Sequence, residues 1–210
     1  MHLYRPVGLK ELELIYDSGM REFPPRLPEQ PIFYPVVNFE YASKNARDWN
    51  AKERSFVGYV TEFNVNDSYI NGYETHTVGG NDLVEYWIPA DDLHNFNRNV
   101  HGLIKVTEAY FGKDYTGYIP ENFLLKNRNS YEQFLILSEM LKNNGMDFVI
   151  ELGTNKKSIY LNFPFWYKSD FAQSSIETNQ KIRILKSIIK IWRDNISPLK
   201  LPFENQVVSA

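Results

Sequence analysis

Thr77-Val78-Gly79-Gly80-Asn81-Asp82-Leu83-Val84-Glu85-Tyr86-Trp87-Ile88-Pro89 leads a single acid into a strand directly behind a glycine turn. Gly79 and Gly80 permit a sharp or left-handed backbone, and Val84, Tyr86, Trp87 and Ile88 make a β-prone run around Glu85. A carboxylate that opens such a strand sits either at the rim of a cleft or on the solvated edge of a hairpin. The neighbouring segments decide between the two.

On the N-terminal side, Tyr73 to Val78 reads as the first arm of that hairpin, and Phe56 to Val65 alternates apolar with small or polar residues as a half-buried strand does. Further back, Ile32-Phe33-Tyr34-Pro35-Val36-Val37 predicts a strand. Asn38 then caps a helix through Tyr41, Ala42, Asn45, Ala46 and Trp49. Four prolines within Phe23 to Pro31 exclude helix and central strand there and predict a stiff extended loop, a wall for any site beside it. Residues 2 to 7 predict a first strand, followed by a helix from Gly8 to Ser18 that Gly19 stops. Beyond Glu85, Pro89-Ala90-Asp91-Asp92-Leu93 begins a short helix with acids in its first turn, and Leu103 to Phe111 predicts the strand that closes the module.

After Gly117 the pattern changes. An amphipathic helix is expected over Ser130 to Asn143, a hairpin-like pair at 147 to 153 and 158 to 165, and a second helix over Ser174 to Asn195. The tail from Ser197, with Pro198 and Pro202, is expected to lie over the surface or fray. The reading is therefore α+β with two domains: residues 1–120, and an α/β appendage over residues 121–210. The charge balance supports a boundary. Before Leu124 there are 11 Lys and Arg against 18 Asp and Glu, a balance of −7, and from Leu124 onward 12 against 8, a balance of +4. The surplus of +4 is too small to mark nucleic-acid binding. The C-terminal helix sets Ile182, Leu185, Ile188, Ile189 and Trp192 against Lys181, Lys186, Lys190 and Arg193, either an ordinary core-closing helix or a surface for a partner protein.

The chain has 210 residues, 43% of them hydrophobic and 15% aromatic, enough for a packed core. It lacks an apolar run of the roughly 18 to 20 residues that span a bilayer, and its first residues lack a signal-peptide core, so a soluble, cytoplasmic protein with no membrane partner is expected. There is no cysteine, which removes disulfides, thiolate metal sites and a cysteine nucleophile. His2, His76, His94 and His101 show no paired metal spacing, so no metal is expected. No dinucleotide-binding glycine fingerprint, phosphate-binding loop or serine nucleophile elbow occurs.

Three stretches, Leu3-Tyr4-Arg5-Pro6-Val7-Gly8, Phe23-Pro24-Pro25-Arg26-Leu27-Pro28 and Ala46-Arg47-Asp48-Trp49-Asn50, occur in that order. With Phe33-Tyr34-Pro35-Val36-Val37-Asn38 and the glycine turn before Glu85, they make residues 1 to about 112 resemble the ADP-ribosyltransferase fold. More closely, this region is similar to the bacterial domain family catalogued as "ADP-ribosylation/crystallin J1". The resemblance implies a split, mostly antiparallel sheet with flanking helices that clamps NAD, with one key residue from each of three strands.

In that resemblance Arg5, with Tyr4 beside it, corresponds to the first-strand residue that positions the dinucleotide. A fork of charged donors suits pyrophosphate or ribose hydroxyls, although an ion pair with one of the many acids of this half is equally open. Tyr34 matches the second motif, in which an aromatic holds the cationic nicotinamide ring, with Asn38, Tyr41, Asn45 and Trp49 following. Pro35 stands where many relatives carry a small or hydroxyl residue, and Tyr41 and Trp49 also fit a purely packing role. Glu85 matches the catalytic acid, whose fixed carboxylate would stabilise the oxocarbenium-like state as nicotinamide leaves C1′.

Leu83 occupies the position, two residues before the acid, where arginine-directed relatives carry Glu or Gln. The acceptor stays open between protein, nucleic acid and small molecule. The implied function is ADP-ribosyl transfer from NAD. The alternatives are NAD hydrolysis, as in a toxin or defence effector, and a binding module that keeps the fold without the reaction.

Overall fold

The computed structural model describes residues 1–78, 83–143 and 145–210, so the Gly79-Gly80 turn lies outside the described residues. The chain divides into two compact units, Met1–Tyr115 and Thr116–Ala210. The elements of the first are β1 (His2–Val7), α1 (Leu9–Asp17), β2 (Ile32–Phe33), α2 (Phe39–Asp48), β3 (Val57–Val65), α3 (Asp67–Ile70), β4 (Thr75–Thr77), β5 (Val84–Tyr86), β6 (Ile88–Pro89), α4 (Leu93–Arg98) and β7 (Val100–Phe111). All the strand pairs are antiparallel, in a mixed α and β unit.

The frame of this unit is the sheet β1-β3-β7. Along β1 the residues Leu3, Arg5 and Val7 turn to one buried face, as strand alternation requires. There Phe23, Phe33, Phe63 and Phe96 meet with ring centroids 4.8 to 6.3 Å apart, forming the main apolar core. The proline-rich segment from Phe23 to Pro31 contains no helix or strand, as expected. Its entry is fixed by Asn97, whose side chain accepts from Phe23 N and donates to Phe23 O, both at 2.9 Å.

The opposite face carries α2. Ala42 and Ala46 pack on Val36 and Val60, and the approach is very close: a Cβ on Gly58 would stand 2.0 Å from Ala46 O. Small residues on both sides therefore let helix and strand backbones touch.

The predicted strand over residues 32 to 37 exists in two pieces. Ile32–Phe33 pairs with β6, while Val36 bridges Tyr4 of β1 on one side and Glu85 of β5 on the other. Tyr4 and Val36 exchange both backbone hydrogen bonds at 2.8 Å, so the next bonded pair in register would be Pro6 with Tyr34. Proline has no N–H to donate, and the ladder stops there. The sheet opens at that point, beyond Val36 toward Tyr34.

The second unit has the expected helix over Ser130–Asn143 and differs from expectation beyond it. It contains α5 (Ser130–Asn143), α6 (Gly145–Thr154), α7 (Lys156–Lys168), α8 (Thr178–Ile191) and α9 (Glu204–Ser209), and no strand among its described residues. The expected hairpin at 147–153 and 158–165 is helix, so the appendage is all-α rather than α/β. The apolar runs misled because α7 is buried on nearly every side from Ser158 to Pro164, leaving no polar stripe to show a helical period. The tail does not fray either. Leu201, Phe203 and Val207 are buried, and the buried Glu204 carboxylate pairs with Arg193 and accepts from Leu201 N at 3.2 Å. No described helix is long and apolar enough to cross a membrane.

Candidate functional site

A cleft of about 640 Å³ in the first unit is lined by Arg5, Tyr34, Tyr41, Asn45, Trp49 and Glu85, together with Pro6, Gln30, Val36, Asn50 and Glu53. Six of the eight residues singled out in the sequence thus meet at one concavity. Its volume falls in the range of small-molecule sites.

Glu85 owes its place to register. Tyr4, Val36, Glu85 and His76 lie directly opposite one another on neighbouring strands, so their side chains share one face of the sheet, the face that carries α2. Only 9% of Glu85 is exposed. Its two oxygens are held separately: Trp87 Nε1 donates to Oε1 at 2.7 Å, and Tyr41 Oη donates to Oε2 at 3.3 Å. The Tyr41 hydroxyl is pushed above its ordinary value by burial and by the Glu85 charge, against an opposing hydrogen bond with Asn45. It therefore remains a donor at neutral pH.

Tyr41, Asn45 and Trp49 come to the cleft because they are spaced four apart along α2 and its C-terminal cap and form one row, while Ala42 and Ala46 form the adjacent row that packs on the sheet. Trp49, whose helical spacing favoured a packing role, is 65% exposed at the mouth. Tyr34 stands edge-on to Trp87 at 5.9 Å, and His76 stacks on the other ring at 4.1 Å.

Arg5 realises the ion-pair reading and also lines the cleft. Its Nε and Nη2 donate to the two carboxylate oxygens of Glu11 at 2.7 and 3.3 Å, its Nη1 donates to Tyr34 O at 3.2 Å, and its guanidinium lies 4.3 Å above the Phe33 ring. The carbonyl that Pro6 cannot serve is thus taken by the neighbouring side chain. These bonds use three of the five N–H donors of the guanidinium.

Tyr4 and Asn38 do not line the cleft. The Tyr4 ring packs edge-on against His2 and Phe39 at 4.9 and 5.6 Å, and the Asn38 side chain accepts from Tyr41 N as the cap of α2. Both are spent on local structure. Trp87 and His76 were missed as neighbours of Glu85, yet period-two alternation from Glu85 to Trp87 carried that signal. Glu53 and Gln30 reach the site through tertiary folding, and nothing in their local sequence marks them. No group of three or more His, Asp or Glu spaced to hold a metal ion occurs among the described residues.

No protein-family model, curated protein or solved structure matches this chain.

Proposed function

We propose that this chain is an NAD-cleaving enzyme of the ADP-ribosyltransferase type, in which Glu85 stabilises the transition state and Arg5 and Tyr34 hold the dinucleotide. The observation that carries the reading is the meeting of Arg5 from β1, Tyr34 from the break after β2 and Glu85 from β5 around one cleft. Breaking the bond between C1′ and nicotinamide builds positive charge on the ribose. A carboxylate whose two oxygens are already oriented by Tyr41 and Trp87 can meet that charge without reorganising. The remaining guanidinium donors of Arg5 suit phosphate oxygens, and the exposed rings of Tyr34 and Trp49 suit a flat cationic base.

Leu83 favours hydrolysis as the second reading, because water requires no acidic acceptor-holding residue two positions before Glu85.

The test is nicotinamide release from NAD by the wild type beside Glu85→Gln, which keeps the shape and removes the charge. The expected loss is about 10²- to 10³-fold in rate. Label retained on a macromolecule of an added cell extract indicates transfer, and free ADP-ribose indicates hydrolysis. Saturating NAD at about 100 times its dissociation constant is expected to add about 2.7 kcal/mol of stability. That stabilisation without any release, in either protein, would replace the enzyme with a binding module.

A further inference from the structure

Glu53 and Glu85 are the two carboxylates among the described residues that line the cleft, and they differ in what holds them. Both oxygens of Glu85 accept hydrogen bonds. The Glu53 carboxylate has no ion pair or side-chain hydrogen bond among the described residues.

The turn that presents Glu53 is unusual in its backbone. Arg54 and Phe56 adopt positive φ, 32° and 52°, without being glycine. Such conformations cost energy and persist only where surrounding contacts enforce them. Here Phe56 N donates to Glu53 O and Gly112 N to Phe56 O, both at 2.8 Å, and Ser55 Oγ accepts from Leu9 N at 3.4 Å. A Cβ on Gly112 would stand 2.3 Å from Ala51 O, so the segment just before the turn is pressed against the end of β7. This strain does not serve burial of Glu53 or Arg54, whose side chains are exposed. The turn holds the backbone of residue 53 beside the cleft, which the Glu53 side chain lines.

We propose that Glu53 is the general base of this cleft, taking the proton of a hydroxyl acceptor, water or an alcohol, as that oxygen attacks C1′. The inference rests on the NAD-cleaving reading above and assigns the acceptor side of the same reaction. The C1′–N bond breaks and its electron pair returns to the nicotinamide nitrogen, which becomes neutral. A lone pair of the acceptor oxygen forms the new C1′–O bond, and the O–H proton passes to the Glu53 carboxylate, which later releases it to water. NAD and the acceptor thus give the ADP-ribosyl product, nicotinamide and one proton, with no oxidant or reductant. The two carboxylates divide the work. Glu85, already hydrogen-bonded, supplies fixed charge, and Glu53, with its carboxylate oxygens uncommitted, is open to take the proton.

The experiment compares nicotinamide release by the full-length wild type, Glu53→Gln and Glu85→Gln, each with and without sodium azide. Azide is an anionic nucleophile with no proton to lose. Glu53→Gln is expected to lower kcat about 10²-fold while KM for NAD stays within about threefold. Azide is expected to restore its nicotinamide release, with ADP-ribosyl azide as product, and to leave Glu85→Gln slow. Wild-type turnover by Glu53→Gln, or a loss that azide does not relieve, overturns the role of Glu53 and leaves the NAD-cleaving reading standing. A wild type that releases no nicotinamide overturns both.

Discussion

Trp87 Nε1 donates to Glu85 Oε1 at 2.7 Å, so the acid at the cleft is oriented by a residue two positions further along its own chain. The same indole carries His76 stacked on its face and Tyr34 at its edge. The position of the carboxylate is thereby linked to an aromatic cluster at the cleft.

Trp87→Phe keeps a ring in that cluster and removes the donor. A hydrogen bond to a charged group contributes about 1.5–3 kcal/mol when buried. Because Trp87 is partly exposed, the expected loss of stability is at the lower end, about 1.5 kcal/mol. It would be read as a fall in the urea midpoint with an unchanged slope. Nicotinamide release is expected to fall about tenfold, as a carboxylate free to swivel stabilises the transition state less well. An unchanged rate would mean that Tyr41 alone orients Glu85.

Pro6 ends the β1 ladder because it offers no N–H to Tyr34 O, which Arg5 Nη1 serves instead at 3.2 Å. Pro6→Ala supplies the missing donor. The expected result is a residue-6 amide protected from hydrogen exchange, a strand that zips past Val36, and a narrower cleft with weaker NAD binding. A residue-6 amide that exchanges as freely as a loop amide would show that the opening is held by Arg5 and Glu11 and not by the proline.

The first unit was largely legible because its signals are local. Asn38 ahead of a helical row, alternation from Phe56 to Val65 and the four prolines after Phe23 each act within a few residues. The row of Tyr41, Asn45 and Trp49 could be read from spacing alone. The break in the strand at Tyr34 and the arrival of Glu53 could not, because one depends on the register of a partner strand and the other on a turn packed against Gly112. In the second unit the helix over Ser130–Asn143 was legible, and the stretch 147–165 was misread for a different reason. When a helix is covered on all sides, as α7 is, burial erases the period that distinguishes it from a strand. The tail was judged by its prolines, and Leu201, Phe203 and Val207 outweighed them.

Alkaline pH is expected to unfold the first unit. Tyr59 is fully buried, its hydroxyl lies 3.2 Å from that of the half-buried Tyr115, and burial raises both phenols above their ordinary value. Tyr4, Tyr41, Tyr69 and Tyr86 are also raised, chiefly by burial, with Glu62, Glu85, Asp92 and Asp67 respectively adding to it. Below the unfolded value of about 10 both states are protonated, and the contribution of these groups is fully present. Above it the unfolded chain loses protons first, so stability falls as pH rises. The slope approaches about 1.4 kcal/mol per pH unit for the buried Tyr59 and is smaller for the more solvent-screened hydroxyls. Urea midpoints between about pH 9 and 11, with phenolate absorbance followed in parallel, check the direction. A midpoint that stays flat to about pH 11 would mean that these hydroxyls ionise without cost in the folded protein.

Gly58 is where sheet and cleft are coupled most tightly. Its φ lies outside the left-handed range, so backbone preference alone would make Gly58→Ala stabilising by about 0.4–1 kcal/mol. The added methyl would instead meet Ala46 O at 2.0 Å, a backbone atom that cannot rotate away. Helix α2 must then lift from β3, taking Tyr41, Asn45 and Trp49 with it. The expected outcome is a loss of about 1–3 kcal/mol in urea unfolding, together with a weaker thermal response to NAD than the wild type gives. The sign of the stability change decides the matter. A gain would show that α2 is free to slide over the sheet, and the cleft it builds with Glu85 would then be too loosely held to orient a reacting ribose.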